Sequence, residues 1–121
     1  MKFLENNDSV AHYSRAVIHN GLVYVSGQLP LIPGKKTPPK TLEEQTELVL
    51  QKLLGILEEV GSSKEKVLRT TIYVSDVGYW SKVNEIYAKF FGKHKPARTI
   101  VPTGELHYGC LIELNAIACI D

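Results

Sequence analysis

The sequence predicts an α+β fold with the element order β-β-α-β-α-β-β, in which a mixed sheet is covered by two helices on one face. Length is the first observation behind this prediction, because 121 residues, 44% of them hydrophobic, suit a single domain over residues 1–121. Periodicity is the second observation. Two segments repeat apolar residues at helical spacing, whereas the other apolar segments are short and alternate as strands do.

The charge balance indicates which partners to expect. Lys and Arg number 14 and Asp and Glu 13, a formal net charge of +1, which argues against a protein that mainly binds nucleic acid or an anionic membrane. The sequence has no run of 18 apolar residues that could span a bilayer, and it turns polar at Glu5 before a signal-peptide core can form. We therefore expect a soluble, cytoplasmic protein.

The first third of the chain predicts a β-hairpin and then a loop. Strands over residues 16–19 and 22–26 are joined by Asn20-Gly21, the strongest short hairpin signal, because both turn positions need a positive φ. Residues 30–39 contain four prolines and are expected to form an exposed loop.

Two helices are predicted. The first begins at Thr41, whose hydroxyl would form a capping box with Glu44, and it runs to about Val60. Gly61 can take the left-handed conformation that ends it. Its apolar stripe consists of Leu42, Val49, Leu53, Ile56, Leu57 and Val60. The second helix covers roughly residues 79–91.

Three more strands are predicted, over residues 67–75, 98–102 and 111–120. In the last strand one face is core and consists of Ile112, Leu114, Ala116, Ala118 and Ile120. The opposite face mixes apolar and polar side chains: Leu111, Glu113, Asn115, Ile117 and Cys119. In the strand over 67–75 the same alternation points Leu68, Ile72 and Val74 into the core. Because a mixed face commonly meets another subunit, we expect a homo-oligomer packed sheet to sheet.

Few residues carry a recognisable chemistry. Motifs for dinucleotides, P-loops, zinc proteases and serine hydrolases are absent, and the histidines and the two cysteines show no metal-ligand spacing. Arg98 stands at a strand entrance, where its planar, permanently charged group suits a carboxylate. Glu113 lies between two apolar residues, a costly place for a carboxylate without a partner or a chemical task. From the residues alone, Glu113 is equally well explained as one member of an interface ion pair.

At these residues the sequence resembles a known family. Residues 95–101 (KPARTIV) and 112–118 (IELNAIA) are similar to the C-terminal signature of the reactive intermediate deaminase family, RidA, also called YjgF or the endoribonuclease L-PSP family. Residues 25–30 (VSGQLP) resemble its SGQ turn after the second strand, and residues 83–91 (VNEIYAKFF) its VNxxYxxFF helix. Tyr13 stands at the Tyr of the family's Gly-Pro-Tyr segment, so the resemblance covers nearly the whole chain.

The resemblance implies a chorismate-mutase-like (YjgF-like) unit that assembles into a homotrimer. The sheets would form a central barrel, with active sites in clefts between adjacent subunits. The implied activity is hydrolysis of enamines and imines, 2-aminoacrylate and related 2-imino acids, to 2-oxo acids and ammonia. These small molecules are released by pyridoxal-phosphate enzymes, and the resemblance implies neither a cofactor nor a metal.

The resemblance also implies roles for individual residues. Arg98 corresponds to the family's carboxylate-binding Arg, and Glu113 to the Glu that takes a proton from the attacking water. Three further side chains would line the cleft: Tyr13, Ser26 and Asn84. Ile100 replaces a Cys of many members, so only a backbone contact to substrate would survive there. Ala11 and His12 replace the Gly-Pro of the Gly-Pro-Tyr segment. Because the Arg and the Glu remain, we favour an active deaminase.

A second hypothesis groups the chain with family members described as endoribonucleases, translation inhibitors or binding regulators of other enzymes. Lys93-His94-Lys95, beside Arg98, could contact an RNA phosphate, or it could be a solvated loop that attracts small anions. The chain lacks a basic face with interleaved aromatic residues, so nucleic-acid binding is not expected. Salt separates the two hypotheses, because action on RNA weakens steeply as salt rises.

Overall fold

The structure is a computed structural model that describes residues 1–7 and 10–121. Its helices of more than one turn are α1 (Leu42–Glu59) and α2 (Trp80–Phe91). Its strands are β1 (Lys2–Leu4), β2 (Ala16–His19), β3 (Leu22–Gln28), β4 (Val67–Val74), β5 (Ala97–Pro102) and β6 (Ile112–Cys119). Within the described ranges, neither helix is long and apolar enough to cross a membrane.

The strands form one mixed sheet in the order β1-β2-β3-β6-β4-β5. Neighbouring strands are antiparallel except β4 and β5, which run parallel and are connected through α2. The helices contact each other, and α1 lies across β3 and β6. The predicted α+β class is confirmed. β1, an edge strand of three residues, is an addition that the sequence analysis did not predict.

The hydrophobic core lies between the helices and the inner face of the sheet. β6 contributes Ile112, Leu114, Ala116 and Ala118, none of them more than 2% exposed. The alternation predicted for this strand is confirmed, because Glu113, Asn115, Ile117 and Cys119 are only partly buried on the other face. We call that other side of the sheet the open face.

The predicted inward direction of Leu68 is wrong. Its side chain is 48% exposed, whereas Val67 and Thr70 are fully buried. The pairing of β4 with β6 shifts between Val67 and Arg69, and the extra residue of such a bulge turns the following side chains to the other face. Strict alternation therefore fails at the start of β4.

The SGQ segment is also different from the prediction, since it is a bulge inside β3 and not a turn after it. Register against β6 shifts between Val25 and Gln28, so that Ser26 and Gly27 together oppose Asn115. The buried Gln28 side chain donates from Nε2 to the Ser26 carbonyl at 3.0 Å. The bulge thereby changes the path of β3 at the point where Ser26 was expected to meet a ligand.

The predicted turns and caps are largely confirmed. Asn20 and Gly21 have φ of 50° and 77°, as the hairpin requires. The Thr41 hydroxyl accepts from the Glu44 N–H at 3.1 Å, and it donates to the Glu44 carboxylate at 2.9 Å. The carboxylate is thus engaged by the hydroxyl, whereas the prediction paired it with the backbone N–H of Thr41.

One buried polar side chain connects the proline-rich loop with the start of β6. Gln45, 2% exposed on α1, donates from Nε2 to the Pro39 carbonyl at 2.7 Å and accepts from the Leu111 N–H at 2.8 Å. The hydrogen bond to Leu111, two residues before Glu113, therefore ties the start of β6 to α1.

Candidate active site

The six predicted site residues fall into two groups on opposite sides of the sheet. Arg98 and Ile100 pair with Thr70 and Ile72 of β4, whose side chains are buried in the core, so they lie on the helix-covered side. The members of this group are Asn84, Arg98 and Ile100. Glu113 alternates with core residues of β6 and lies on the open face, and Tyr13 and Ser26 border the same cavity as Glu113.

Helix α2 holds Arg98 in a fixed orientation. The Arg98 Nη1 donates to Asn84 Oδ1 at 2.9 Å, and its guanidinium carbon lies 5.4 Å from the ring centroid of Trp80 and 4.9 Å from that of Tyr87. Trp80, Asn84 and Tyr87 share one face of α2 because they are four and three residues apart. Arg98 offers five N–H donors in all, so the donors not used by Asn84 can bind an anion.

Tyr87 supports Arg98 from the core side. Its hydroxyl forms a hydrogen bond of 2.7 Å with Thr70 Oγ1. Burial raises the pKa of Tyr87, although the Thr70 hydrogen bond and the Arg98 charge act in the opposite direction. The phenol therefore stays protonated at neutral pH and offers the guanidinium a neutral ring face.

The cavity beside Arg98, which we call the Arg98 cavity, has a volume of about 400 Å³ and lies between the end of α2 and the start of β5. His94 and Lys95 also line it, and none of its described lining residues is acidic. His94 Nε2 forms a hydrogen bond of 2.7 Å with the Val67 carbonyl. A cleft lined by positive groups attracts an anion, so this cavity suits a small carboxylate.

The Glu113 carboxylate lies against the bulge of β3. A Cβ added to Gly27 would collide with Glu113 Oε2 and stand 3.3 Å from Cδ. A residue larger than glycine would therefore move the Glu113 carboxylate, and this effect comes from space and not from a positive φ. The bulge brings the main chain of β3 directly against the carboxylate.

The cavity that contains Glu113, the Glu113 cavity, is larger, about 560 Å³. Lys52 lines it from α1 and donates from Nζ to the carbonyls of Leu29 and Leu31, at 2.8 and 3.0 Å. Burial lowers the pKa of the Lys52 ammonium. Cys110 is buried near the Lys52 and Glu113 charges. Burial, and to a smaller extent the Glu113 carboxylate, raise the pKa of the Cys110 thiol, whereas the Lys52 ammonium lowers it. Cys110 therefore stays protonated and is a poor nucleophile.

Ser26 uses its hydroxyl to hold the N-terminal segment. Its Oγ donates to the Ser14 carbonyl at 2.6 Å, next to Tyr13, whose side chain is 52% exposed at the mouth of the Glu113 cavity. The lone pairs of Ser26 remain available to a ligand. Ile100 packs against the core, so its predicted contact with substrate could be made only by its backbone.

Arg98 and Glu113 cannot meet within one chain. Arg98 of β5 pairs with Thr70 of β4, and Thr70 pairs with Ala116 of β6. Arg98 and Glu113 are therefore separated by two strand spacings across the sheet and by three residues along β6. This separates their backbones by about 14 Å, given about 4.8 Å between strands and 3.3 Å per residue. Because their side chains also project from opposite faces, each cavity is one half of any site that uses both.

Sequence reasoning missed Trp80 and Lys52. Trp80 could have been found, because it lies four residues before Asn84 and therefore on the same helix face. Lys52 gave no such signal, since its place in the Glu113 cavity depends on the path of the loop after β3, whose carbonyls it binds.

Comparison with known proteins identifies relatives that match most of this chain. A family model described as Endoribonuclease L-PSP matches residues 4–120. Protein HMF1 of Saccharomyces cerevisiae is 36% identical over 110 residues, which cover 91% of this chain and 85% of that protein. Reactive Intermediate Deaminase A, a chloroplastic protein of Arabidopsis thaliana, is 39% identical over 109 residues, which cover 89% of this chain and 58% of that protein.

A solved structure agrees with the fold. E. coli TdcF with bound serine matches with a TM-score of 0.89 and 26% identity, over 98% of each chain. The relatives carry different names. The comparison therefore establishes the family but no single activity. The resemblance predicted from the motifs is confirmed, and the chain belongs to the Endoribonuclease L-PSP family, also called the RidA or YjgF family.

Proposed function

We propose that this protein is an enzyme that hydrolyses 2-imino acids and their enamine tautomers, such as 2-aminoacrylate, to 2-oxo acids and ammonia. The observation that carries the proposal is the pair of half-sites: a fixed guanidinium suited to a carboxylate in one, and a carboxylate able to accept a proton in the other. Membership of a family with a reactive intermediate deaminase supports the reaction. The serine bound to a structural relative supports a ligand that carries an α-carboxylate.

The working form is a homotrimer in which the Arg98 cavity of one subunit faces the Glu113 cavity of the next. A cyclic assembly uses two different patches on each chain, so it can join unlike half-sites at every interface. The partly buried side chains of the open face, including Asn115 and Ile117, have the mixed polarity of such an interface.

The chemistry follows from the two half-sites. Arg98 binds the substrate carboxylate and leaves C2 of the imine exposed to a water molecule held by Glu113. As the water oxygen bonds to C2, the C=N π electrons move to nitrogen, and the Glu113 carboxylate takes one proton of the water and passes it to the nitrogen. The product is a tetrahedral amino alcohol. The carboxylate then takes the hydroxyl proton and delivers it to the same nitrogen, so that the C–N bond breaks, ammonia leaves and the C2–O bond becomes the carbonyl of the 2-oxo acid. An enamine first takes a proton at C3 and gives up one from its nitrogen, which converts it to the imine.

No step of this reaction requires a metal. Among the residues that the structure describes, no three His, Cys, Asp or Glu side chains gather as a metal site would need. We expect hydrolysis to survive exhaustive chelation and dialysis.

The deaminase proposal explains the site better than cleavage of RNA. Cleavage by acid–base catalysis needs two proton-transfer groups around one phosphate. His94 lies in the Arg98 cavity with Nε2 bound to a main-chain carbonyl, and His107 lies in the Glu113 cavity. The shared site would contain both histidines, but the hydrogen bond to the main chain fixes the His94 ring as a structural group. The described lining therefore offers no pair of free histidines for the cleavage of RNA.

The test is ammonia release from imines made freshly by an amino-acid oxidase, with semicarbazide to trap the imine that escapes the enzyme. The protein should lower the trapped fraction, and the Glu113→Gln variant, prepared in the same way, should not. Light scattering should give three times the 13.5 kDa chain mass. An unchanged trapped fraction would refute the activity, and a monodisperse monomer would refute the shared site.

A further inference from the structure

We infer that the Glu113 cavity selects 2-imino acids with a bulky, neutral side chain, aromatic ones above all, and that the stacked pair His107–Tyr108 is the selecting element. The inference rests on the proposed function and adds a substrate class to it. It concerns the part of the substrate that differs between amino acids, whereas Arg98 binds the part they share.

Charge in the cavity favours a neutral side chain. Its described lining contains two charged groups of opposite sign, Lys52 and Glu113. The Lys52 ammonium already donates to the carbonyls of Leu29 and Leu31. A second carboxylate on the substrate would therefore meet an ammonium with one of its three donors left on one side and the Glu113 carboxylate on the other.

Exposed rings favour a flat, apolar group. Tyr13 and Tyr108 border the cavity with 52% and 42% of their surface exposed. The rings of His107 and Tyr108 are stacked, with centroids 3.8 Å apart and planes at 9°. Aromatic groups bind one another through offset or edge contacts, so this pair offers a ready surface for an arene.

The backbone of Tyr108 indicates that this orientation is functional. Tyr108 has φ of 59° and ψ of 23°, the left-handed region, which is unfavourable for a bulky side chain. Such outliers cluster at ligand-binding positions. A glycine would adopt this conformation more easily than a tyrosine does. The presence of a tyrosine here therefore indicates that its ring has a role.

The size of the cavity agrees with a large substituent. Its volume of about 560 Å³ lies within the range of about 300–1,000 Å³ that holds drug-sized ligands. Tyr13, His107 and Tyr108 line the same cavity as Glu113. A benzyl group on C2 would therefore offer these rings more contact area than the methyl group of the alanine-derived imine.

The experiment compares two imines made by the same oxidase, from L-phenylalanine and from L-alanine. For the unmodified protein we expect kcat/KM to be about 10-fold higher with the phenylalanine-derived imine. Tyr108→Gly, which suits the left-handed backbone, should lower that value about 10-fold and leave the alanine-derived imine within about 2-fold. Phe3→Ala is the matched control, because Phe3 is an exposed aromatic residue of β1, 60% exposed, that does not line the cavity.

Calorimetry with the two product acids gives a readout without turnover. Phenylpyruvate should bind more tightly than pyruvate, and Tyr108→Gly should remove the difference. If Tyr108→Gly does not fold, His107→Ala removes the stacking partner and tests the same contact.

Equal kcat/KM for the two imines, or an equal loss for both in the variant, would overturn the inference and leave the proposed function standing. If the protein hydrolyses neither imine, the proposed function is refuted. The relative affinity for phenylpyruvate and pyruvate would then be the test of the inference.

Discussion

The Arg98 cavity and the Glu113 cavity are built in different ways. Arg98 is held by side chains of a regular helix, through a hydrogen bond to Asn84 and ring contacts with Trp80 and Tyr87. Glu113 is surrounded by irregular backbone: the bulge at Gly27, the loop held by Lys52 and the left-handed turn at Tyr108.

This difference teaches how the two demands on the site are divided. A carboxylate common to every proposed substrate needs one fixed geometry, which helices and strands supply better than loops. The variable side chain meets loops, which can change without disturbing the scaffold. Variants that alter one half-site at a time test whether binding and proton transfer are separated in this way.

Glu113→Gln should have the largest effect, because the amide is nearly isosteric but is no longer a base. Removal of a positioned base costs about 10²- to 10⁴-fold in turnover. Binding of a 2-oxo acid should be kept or slightly strengthened, since repulsion between two anions disappears. Single-turnover ammonia release paired with calorimetry measures both quantities. Full activity of the variant would leave Glu113 as an interface polar group.

Mixing two impaired variants sharpens this test. When Arg98→Lys and Glu113→Gln chains are unfolded and reassembled together in equal amounts, about one quarter of the shared sites should combine an intact Arg98 with an intact Glu113. Activity should therefore return to about that fraction of the unmodified level. Reassembly of Arg98→Lys chains with the double variant is the control, because it creates no intact site. If the main mixture stays inactive, the two half-sites do not belong to neighbouring chains.

Arg98→Lys should weaken binding of a 2-oxo acid by about 10- to 100-fold, because an ammonium cannot copy the two parallel hydrogen bonds of the guanidinium. Asn84→Asp is the informative companion. It keeps the hydrogen bond to Arg98 but adds a negative charge beside it, so it too should weaken anion binding. Calorimetry with pyruvate measures both, and unchanged affinity in the Lys variant would mean that the carboxylate binds elsewhere.

Gly27→Ala should lower turnover by about 10-fold or more, since the added methyl group would displace the Glu113 carboxylate and a shift of about 1 Å can cost 10²-fold. Binding of a 2-oxo acid should change little, because Arg98 is not touched. Gly55→Ala is the matched control: its added Cβ meets nothing within 4 Å. It should stabilise α1 by about 0.5–1 kcal/mol without altering turnover, and an equal loss of turnover in both variants would contradict the role given to Gly27.

The smallest effect concerns Lys52 and pH. Because burial lowers the pKa of Lys52, the unfolded chain binds more protons than the folded chain between that lowered value and about 10.4. The contribution of Lys52 to stability therefore rises with pH across this window. Urea unfolding of the protein and of Lys52→Met between about pH 8 and pH 10 should show the difference moving in favour of the unmodified protein. A constant difference would mean that the ammonium is not desolvated.

The fold was predictable where local chemistry decides it. Asn20-Gly21 strongly favours a hairpin turn. The spacing of the apolar residues in α1 allows a single buried helix face. Prediction failed at bulges, because an extra residue in a strand leaves no mark on the sequence. Alternation places Leu68 on the wrong face for that reason, and the motif VSGQLP of residues 25–30 suggests a turn where β3 has a bulge.

Sequence motifs can nominate residues of the candidate site, but they do not contain its geometry. Motifs singled out Arg98 and Glu113, but their placement on opposite faces depends on the order β6-β4-β5 and on register. These are long-range properties of the sheet that residue spacing does not contain. The buried Gln45 was missed for a similar reason, since its two partners are main-chain groups 6 and 66 residues away.

The outer strands of the sheet have a consequence for assembly. A free sheet edge can pair with another molecule and begin aggregation. β1 is an edge of three residues, and β5, the opposite edge, follows Pro96 and ends at Pro102. Proline cannot donate a ladder hydrogen bond, so both edges are poor templates for a foreign strand. In the proposed trimer, the subunits would therefore meet through the faces of the sheet, while β1 and β5 resist the addition of a strand from another molecule.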